Sequence, residues 1–392
     1  MDRISDRERS YVSEVLDAEF RNSSGGMMTK RLEALFAEVF ESKFAISFIN
    51  GTATMHAALV AAGIGFGDEV IVPPLTMAST SFAVLHAGAV PVYADIDPNT
   101  WTLDPESVRH RISPRTKAII AVALYGLAAD MDALMEIGRE HSLFVMDDAA
   151  QCFLGYYKGR VVGSLANASS FSFQSSKHLT SGEGGMITTD DESLATSIRR
   201  MNSLGYAAVS AGAGKGKIGK EVIQDPSYAR HSSVGWNYRM PELCSAVALA
   251  QTERIQELVA VRRKTAEMFS QAIAGCSWLV PQHTPENCIH SYWTYVVRLA
   301  DNVPFSWHDF RSTYISHGGD GLYGAWRLNY LEPAFEGIRF QPWQSQNFEL
   351  GLCPIAEGLQ PRLMQFKTNE VDPTQISRQV DALAMAILDF NR

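Results

Sequence analysis

The chain has 392 residues, of which 46% are hydrophobic and 20% charged, which is typical of a globular protein of about two or three domains and excludes disordered, collagenous and fibrous classes. Its 34 basic and 43 acidic residues give a net charge of −9 without a lysine or arginine block, so non-specific nucleic-acid binding is disfavoured. The five cysteines form no CxxC pair and are odd in number, which predicts a reducing, cytoplasmic location without a disulfide framework or structural metal site. No signal-peptide core is present and no run approaches the ~18 apolar residues of a membrane span, so we expect no membrane partner.

Residues 44–189 alternate short apolar strands with helical segments. Strands are predicted at residues 44–49, 69–72, 90–94, 118–124, 144–146, 169–173 and 186–189. Helices are predicted at residues 53–62, 79–87 and 131–141. Near-continuous apolar strands separated by helices are typical of an α/β, doubly wound, mostly parallel sheet that is buried on both faces. Ligands of such sheets bind beyond the carboxyl ends of the strands.

Residues 205–233 are rich in glycine and lysine and show little periodicity, so we interpret them as a long, partly mobile loop. Their GAGKGK sequence is similar to a phosphate-binding P-loop. It fails that pattern because Lys217 is followed by Ile218 instead of serine or threonine.

The remainder of the chain predicts a smaller α+β unit. A helical pattern over 240–274 predicts one long helix that links two domains. A strand is predicted at 292–299, and helices are predicted at 306–317 and 375–388. We therefore predict a large domain of residues 1–255 and a small C-terminal domain of residues 256–392.

Asn50-Gly51-Thr52 is the first of three segments with candidate site residues, and it lies between a predicted strand and a predicted helix. Glycine lets the backbone approach a ligand closely, and the amides at a helix N-terminus form an anion site that suits a phosphate. Glycine and threonine also form ordinary turns and helix caps, so this motif alone does not decide between the two interpretations.

Asp147-Asp148-Ala149-Ala150-Gln151 is the second segment, and it follows an apolar strand. An acid at this position caps the next helix, binds a metal or pairs with a cationic ring nitrogen. The residues of this segment leave these alternatives open.

Lys177 is the third candidate, and it lies between a buried strand and the glycine-rich turn 182–185. One interpretation is an exposed loop lysine. The other is a lysine that is deprotonated in a desolvated, cationic setting and forms a Schiff base. Taken together, an anion site, an acid for a pyridinium and a lysine for an aldehyde are the groups that pyridoxal 5′-phosphate (PLP) requires.

The sequence resembles the DegT–StrS group of sugar aminotransferases, which have PLP fold type I. The segments that carry this resemblance are spread in order over most of the chain: FINGTATMHAAL, GDEVIVPPLTMAST, AGAVPVYADIDPNTWTLDP, VMDDAAQ, FSFQSSKHLTSGEGGMITTDD and GWNYRMPELCSAVALAQ. The resemblance implies a large doubly wound, mostly parallel sheet domain, a smaller α+β C-terminal domain and pyridoxal 5′-phosphate as cofactor.

The same resemblance implies a role for each site residue. Lys177 would form the Schiff base and carry the substrate proton, and Asp148 would keep the pyridine nitrogen protonated. The other cofactor-binding residues that it implies are Gly51 and Thr52 at the phosphate, Ser172 as a hydroxyl donor, Gln151 over the ring, and Asn237 at the phosphate held by the neighbouring subunit. The role of Asn237 implies a homodimer with shared active sites.

Two positions depart from the usual pattern of the family. Met77 stands where members often have an aromatic residue on the ring, and its polarizable sulfur can cover a ring face. The segment FQSSKHL has Gln174 and no proline before the lysine, which is similar to members that act on cyclitol ketones.

The function that the resemblance implies is transfer of an amino group from glutamate or glutamine to a keto sugar, which we expect to be nucleotide-linked, in surface-polysaccharide or secondary-metabolite biosynthesis. Keto-cyclitol amination in aminoglycoside-type pathways is an alternative. A PLP-dependent sugar dehydratase is another, but such members replace the lysine by histidine, and Lys177 argues against it. A cofactor-binding regulator without turnover is disfavoured by the intact set Lys177, Asp148, Gln151 and Ser172. Residues 205–233 and 317–327 are predicted to contact substrate.

Overall fold

The structure is a computed structural model that describes residues 2–20, 26–212, 218–336, 338 and 346–391. The strands are β1 Phe44–Phe48, β2 Glu69–Val72, β3 Val90–Tyr93, β4 Thr116–Val122, β5 Phe144–Asp148, β6 Tyr156–Tyr157, β7 Arg160–Val161, β8 Ala168–Ser172, β9 Gly185–Thr189, β10 Leu279–Pro281, β11 Cys288–Ile289, β12 Thr294–Leu299, β13 Leu322–Gly324 and β14 Leu363–Lys367. The helices are α1 Asp6–Asp17, α2 Met27–Val39, α3 Gly51–Ala61, α4 Ser79–His86, α5 Pro105–Arg111, α6 Met131–His141, α7 Glu192–Asn202, α8 Lys220–Gln224, α9 Glu242–Glu253, α10 Ile255–Ala272, α11 Trp307–Ser316, α12 Pro354–Leu359 and α13 Pro373–Phe390.

A seven-stranded sheet with the order β1-β9-β8-β5-β4-β2-β3 forms the centre of the first part of the chain. Six of these strands run parallel, and β9 is antiparallel to both of its neighbours. Helices cover both faces of the sheet. Alternate residues of β5 belong to different cores, since Val145 lies in the core that includes Phe36 of α2, whereas Met146 lies in the core that includes Met55 of α3. The predicted α/β, doubly wound, mostly parallel architecture is therefore confirmed.

The C-terminal part contains a second, antiparallel sheet with the order β10-β12-β14-β13. Helices α10, α11 and α13 pack with it around a third core that includes Phe269, Val297 and Leu383. This part is α+β, as predicted. The domain boundary after residue 255 stays a prediction, because Val296 and Tyr330 also pack into one core of the large sheet.

One prediction about the middle of the chain is wrong and a second is incomplete. The single long helix over 240–274 is two helices, because the backbone leaves helical geometry at Arg254 (φ −113°, ψ 9°) between α9 and α10. The loop 205–233 contains the short helix α8, and residues 213–217 of its GAGKGK sequence lie outside the described residues. Among the described helices, none is both long and apolar enough to cross a membrane.

Candidate active site

The predicted site residues meet at the carboxyl edge of the parallel strands. Strand β1 ends shortly before Gly51, β5 ends at Asp148 and β8 ends at Ser172. Because β9 is antiparallel, its first residue Gly185 lies at the same edge, where it is paired with both Phe48 and Ser172. The topology therefore brings together residues that are far apart in the chain, at the place where parallel sheets bind their ligands.

Helix α3 starts at this edge and packs closely against β8. The Asn50 side chain caps the helix by accepting a hydrogen bond from the Ala53 amide (2.8 Å). A Cβ on Gly51 would lie 2.9 Å from the Ser172 Cβ, so a side chain there would force the helix away from the strand. The amides of Gly51 and Thr52 come before the capped amide and, like the first amides of any helix, have no carbonyl within the helix to bond. A phosphate at this point would meet free amides and the positive end of the helix dipole.

The Asp148 carboxylate is buried at the end of β5. It accepts hydrogen bonds from Thr80 Oγ1 (2.9 Å) and from the Ala150 amide (3.2 Å). Burial raises the pKa of Asp148, whereas these two donors and the nearby Lys177 amine oppose the rise. A cationic group that contacts this carboxylate would stabilise its charged form.

Gln151 is buried next to this acid. Its Oε1 accepts a hydrogen bond from the Tyr125 amide (2.8 Å) in the turn after β4. Tyr125 has a φ of 61°, a strained conformation of the kind that is concentrated at functional sites. Because the side-chain oxygen of Gln151 is engaged, its NH2 group is the end left to donate to a ligand.

Met77 lies in the turn between β2 and α4, and its side chain is 48% exposed. Its carbonyl accepts a hydrogen bond from the Thr80 amide (3.2 Å), and Thr80 in turn bonds Asp148. An exposed methionine beside a buried acid is compatible with the predicted contact to one face of a bound ring.

Lys177 lies on the loop after β8, and its half-buried side chain points into the same site. Burial, and to a smaller extent the charge of Arg262, lower the pKa of its amine to about 8, while the charge of Asp148 opposes this change. Nζ lies 4.7 Å from the centroid of the Trp293 ring. At pH 7 about one amine in ten is then neutral, and the neutral amine is the nucleophile that Schiff-base formation requires.

Asn237 is exposed and pairs through an isolated bridge with Ser203. The neighbouring Val234 and Trp236 are also exposed, at 79% and 37%. The predicted contact of Asn237 with the neighbouring subunit's cofactor stays a prediction.

The residues at this edge fit pyridoxal 5′-phosphate. The first amides of α3 and the Ser172 hydroxyl suit a phosphate, and the buried Asp148 carboxylate suits a protonated pyridine nitrogen. Lys177 supplies an amine with a lowered pKa on the same side of the sheet.

The sequence matches the DegT/DnrJ/EryC1/StrS aminotransferase family over residues 2–310. The chain belongs to this family. It is therefore a PLP-dependent sugar aminotransferase, and its large doubly wound sheet is the PLP fold type I sheet.

Similar proteins share this assignment. The chain is 39% identical over 303 residues to a GDP-perosamine synthase of Caulobacter vibrioides, covering 77% of this chain and 76% of that protein. It is 37% identical over 273 residues to the L-glutamine:2-deoxy-scyllo-inosose aminotransferase of Streptomyces lividus, covering 69% of this chain and 62% of that protein. The solved structure of an aminotransferase from Psychrobacter cryohalolentis has a TM-score of 0.87 and 29% identity, covering 99% of this chain and 98% of that one.

Several residues that contact the predicted site were missed by the sequence analysis. Thr80 donates a hydrogen bond to Asp148, and the hydroxyl-rich sequence TMAST at the start of α4 was the one sequence feature that could have indicated it. Arg262 and Trp293 contact the Lys177 loop from the C-terminal half. No motif marks these two residues, because they reach the site only through tertiary packing.

Proposed function

We propose that the chain transfers an amino group from glutamate or glutamine to a nucleotide-linked keto sugar, with Lys177 as the Schiff-base lysine. The observation that carries this proposal is the proximity of Lys177 and Asp148, each of which shifts the pKa of the other, beside the N-terminus of α3. When bound, the cofactor supplies an aldehyde that accepts an amino group and a ring that takes up electrons from the substrate carbon.

The residues of the chain have separate tasks in this proposal. Asp148, held by Thr80 and the Ala150 amide, keeps its charge beside the ring nitrogen. In the first half reaction the Lys177 amine takes a proton from the donor carbon as a general base, and in the second half reaction the protonated amine gives a proton to the acceptor carbon as a general acid. A pKa near 8 suits both tasks, because the amine gains and loses a proton near neutral pH.

The substrate class is supported by the relatives. A GDP-perosamine synthase acts on a nucleotide sugar, and its similarity to this chain covers 77% of this chain. A keto-cyclitol is the second candidate, favoured by the segment FQSSKHL and by the similar inosose aminotransferase. Lys177 disfavours sugar dehydration, the third candidate.

We also propose a homodimer with shared active sites, in which Asn237 reaches the phosphate bound mainly by the partner. The exposed Asn237, Val234 and Trp236 support this proposal, because a surface that pairs with a second copy carries such residues. The cysteine pattern supports a cytoplasmic location.

Borohydride reduction of the holoenzyme followed by peptide mapping tests the role of Lys177. The cofactor should be attached to the peptide that contains Lys177, and Lys177→Ala should lose both this attachment and turnover. Lys158→Ala is the matched control, because Lys158 is an exposed lysine that bonds Asp132 (2.8 Å). Attachment to any other lysine would refute the assignment.

A substrate panel tests the second half of the proposal. Nucleotide-linked keto sugars and keto-cyclitols are offered with glutamate or with glutamine, and aminated products are detected by mass. Amination of a nucleotide-linked sugar supports the proposal. Turnover of cyclitols alone would select the second candidate, and loss of water without amination would select dehydration.

A further inference from the structure

Arg262 of α10 is a buried arginine whose guanidinium bonds the loop that carries Lys177. Its side chain is 3% exposed. Nη2 donates to the carbonyls of Ser176 (2.9 Å) and Lys177 (2.6 Å), and Nη1 donates to the carbonyl of Trp293 (2.6 Å). The planar guanidinium thus connects the lysine loop to the start of the C-terminal sheet.

Trp293 contacts the same loop a second time. Its Nε1 donates to the Ser176 carbonyl (2.9 Å), and its ring lies 4.7 Å from Lys177 Nζ. Thr368 Oγ1 donates to the Trp293 carbonyl (2.9 Å) and so holds this segment against the end of β14. Arg262 therefore bonds both the lysine backbone and the segment whose ring contacts the amine.

The hydrogen bonds of Arg262 go to three carbonyls and to the Thr368 hydroxyl, none of which carries a charge. The charged groups that face Lys177 are Asp148 on β5 and Arg262 on α10. His178 is adjacent and neutral, since burial holds its pKa well below the usual range. Arg3 of the N-terminal segment bonds the Ser175 carbonyl and adds a further positive charge near Arg262.

We propose that Arg262 is a positioning residue for Lys177, which fixes the backbone of the lysine loop and places a positive charge beside the amine. This inference rests on the proposed role of Lys177 as the Schiff-base lysine. The positive charge disfavours the protonated amine, so a larger fraction is neutral at physiological pH. The fixed backbone limits the directions from which the amine can approach a bound group.

Four variants separate the charge from the hydrogen bonds. Arg262→Met removes both, whereas Arg262→Lys keeps the charge and loses the two-sided guanidinium contact. Arg263→Met is the matched control, since Arg263 follows on the same helix and donates to the carbonyls of His290 and Leu154, not to the lysine loop. Arg262→Gln is a second neutral variant in case Arg262→Met does not fold.

The measurement is the pH dependence of Lys177 modification in the full-length apoprotein, using formaldehyde with cyanoborohydride and peptide mass spectrometry. The wild type and Arg263→Met should share a midpoint near pH 8. The neutral variants should move the midpoint up by roughly one pH unit, and Arg262→Lys should restore it. Amide hydrogen exchange at residues 175–178 should be faster in every Arg262 variant, because each loses the guanidinium contact.

An unchanged midpoint in the folded neutral variants would overturn the charge role, and an equal shift in Arg263→Met would show a general packing effect instead. Unchanged hydrogen exchange would overturn the backbone role. Borohydride mapping of the wild-type holoenzyme keeps the two proposals distinguishable. If the cofactor is found on another lysine, the assignment of Lys177 fails; if it is found on Lys177 and the midpoint does not move, the inference about Arg262 fails alone.

Discussion

Asp147 and Asp148 are neighbours on β5, and their carboxyl groups lie on opposite faces of the large sheet. Asp148 is on the face of Met146 and accepts a hydrogen bond from Thr80, whereas Asp147 is on the face of Val145 and neither of its oxygens has a hydrogen-bond partner among the described residues. Both side chains are buried. Only one of these two adjacent acids can therefore serve the candidate site.

Replacement of each acid by its amide should separate their roles. Asp148→Asn should fold and should lose most turnover, because a neutral amide cannot stabilise a positively charged ring nitrogen. Asp147→Asn should keep a turnover rate within roughly several-fold of the wild-type rate, because Asp147 lies on the other face of the sheet, away from the candidate site. Steady-state transamination rates with both variants at saturating cofactor check this. The reverse pattern would mean that the assigned carboxylate is wrong.

Asp147 should make stability depend on pH. Burial, and secondarily the charge of Asp148, raise the pKa of Asp147 to about 8, so the folded chain keeps a proton that the unfolded chain releases above about pH 4. The free energy of unfolding should therefore fall as pH rises from about 4 to 8. The amide of Asp147→Asn cannot lose a proton. The free energy of unfolding of this variant, relative to that of the wild type, should therefore be higher at pH 8.5 than at pH 5 by about 1 kcal/mol or more. Denaturant titrations of both proteins at pH 5 and 8.5 measure these free energies of unfolding. The same change with pH in the wild type and in the variant would contradict the prediction.

Gly51 should tolerate no side chain. A Cβ at Gly51 would lie 2.9 Å from the Ser172 Cβ, so Gly51→Ala should push α3 away from β8. This shift should lower the free energy of unfolding by about 1–3 kcal/mol and weaken cofactor binding. Gly65→Ala is the control, because its nearest contact would be an ordinary 3.7 Å from the Ala87 carbonyl. Equilibrium cofactor binding, followed by fluorescence, measures the effect. Equal affinity in both variants would argue against the close packing of α3.

A mixed dimer should recover activity that each parent variant lacks. Lys177→Ala and Asn237→Asp are each expected to be inactive, the second because a negative charge near a phosphate is repelled. If active sites are shared, a mixed dimer has one site with both changes and one with neither. Subunit exchange should then restore up to about a quarter of wild-type activity for random pairing in a symmetric dimer.

Native mass spectrometry provides the control for this mixing experiment. If mixed dimers are present and the mixture remains inactive, each chain forms its own complete site. If Asn237→Asp is active by itself, the amide does not contact the phosphate. Either outcome contradicts the proposed role of Asn237.

The sequence by itself determined the fold class and the main chemistry of the site. Apolar strands alternating with helices predicted the doubly wound sheet, because burial on both faces leaves few polar positions in such strands. Gly51, Asp148 and Lys177 each lie in a local motif at the end of a strand, but their roles were implied by the resemblance to the sugar aminotransferases, because each motif alone left alternatives open.

Only the tertiary structure decided what surrounds these residues. Arg262 and Trp293 contact the Lys177 loop from a part of the chain more than eighty positions away, and no periodicity or spacing encodes such a contact. The resemblance had already named Asp148 rather than Asp147, and the structure supplies a physical reason for that choice, since Asp148 lies on the face of β5 that receives the Thr80 hydroxyl. The break at Arg254 was not predicted, because apolar periodicity continues through a single residue that leaves helical geometry. Local motifs identify reactive groups, whereas their burial, partners and pKa values depend on packing between distant segments.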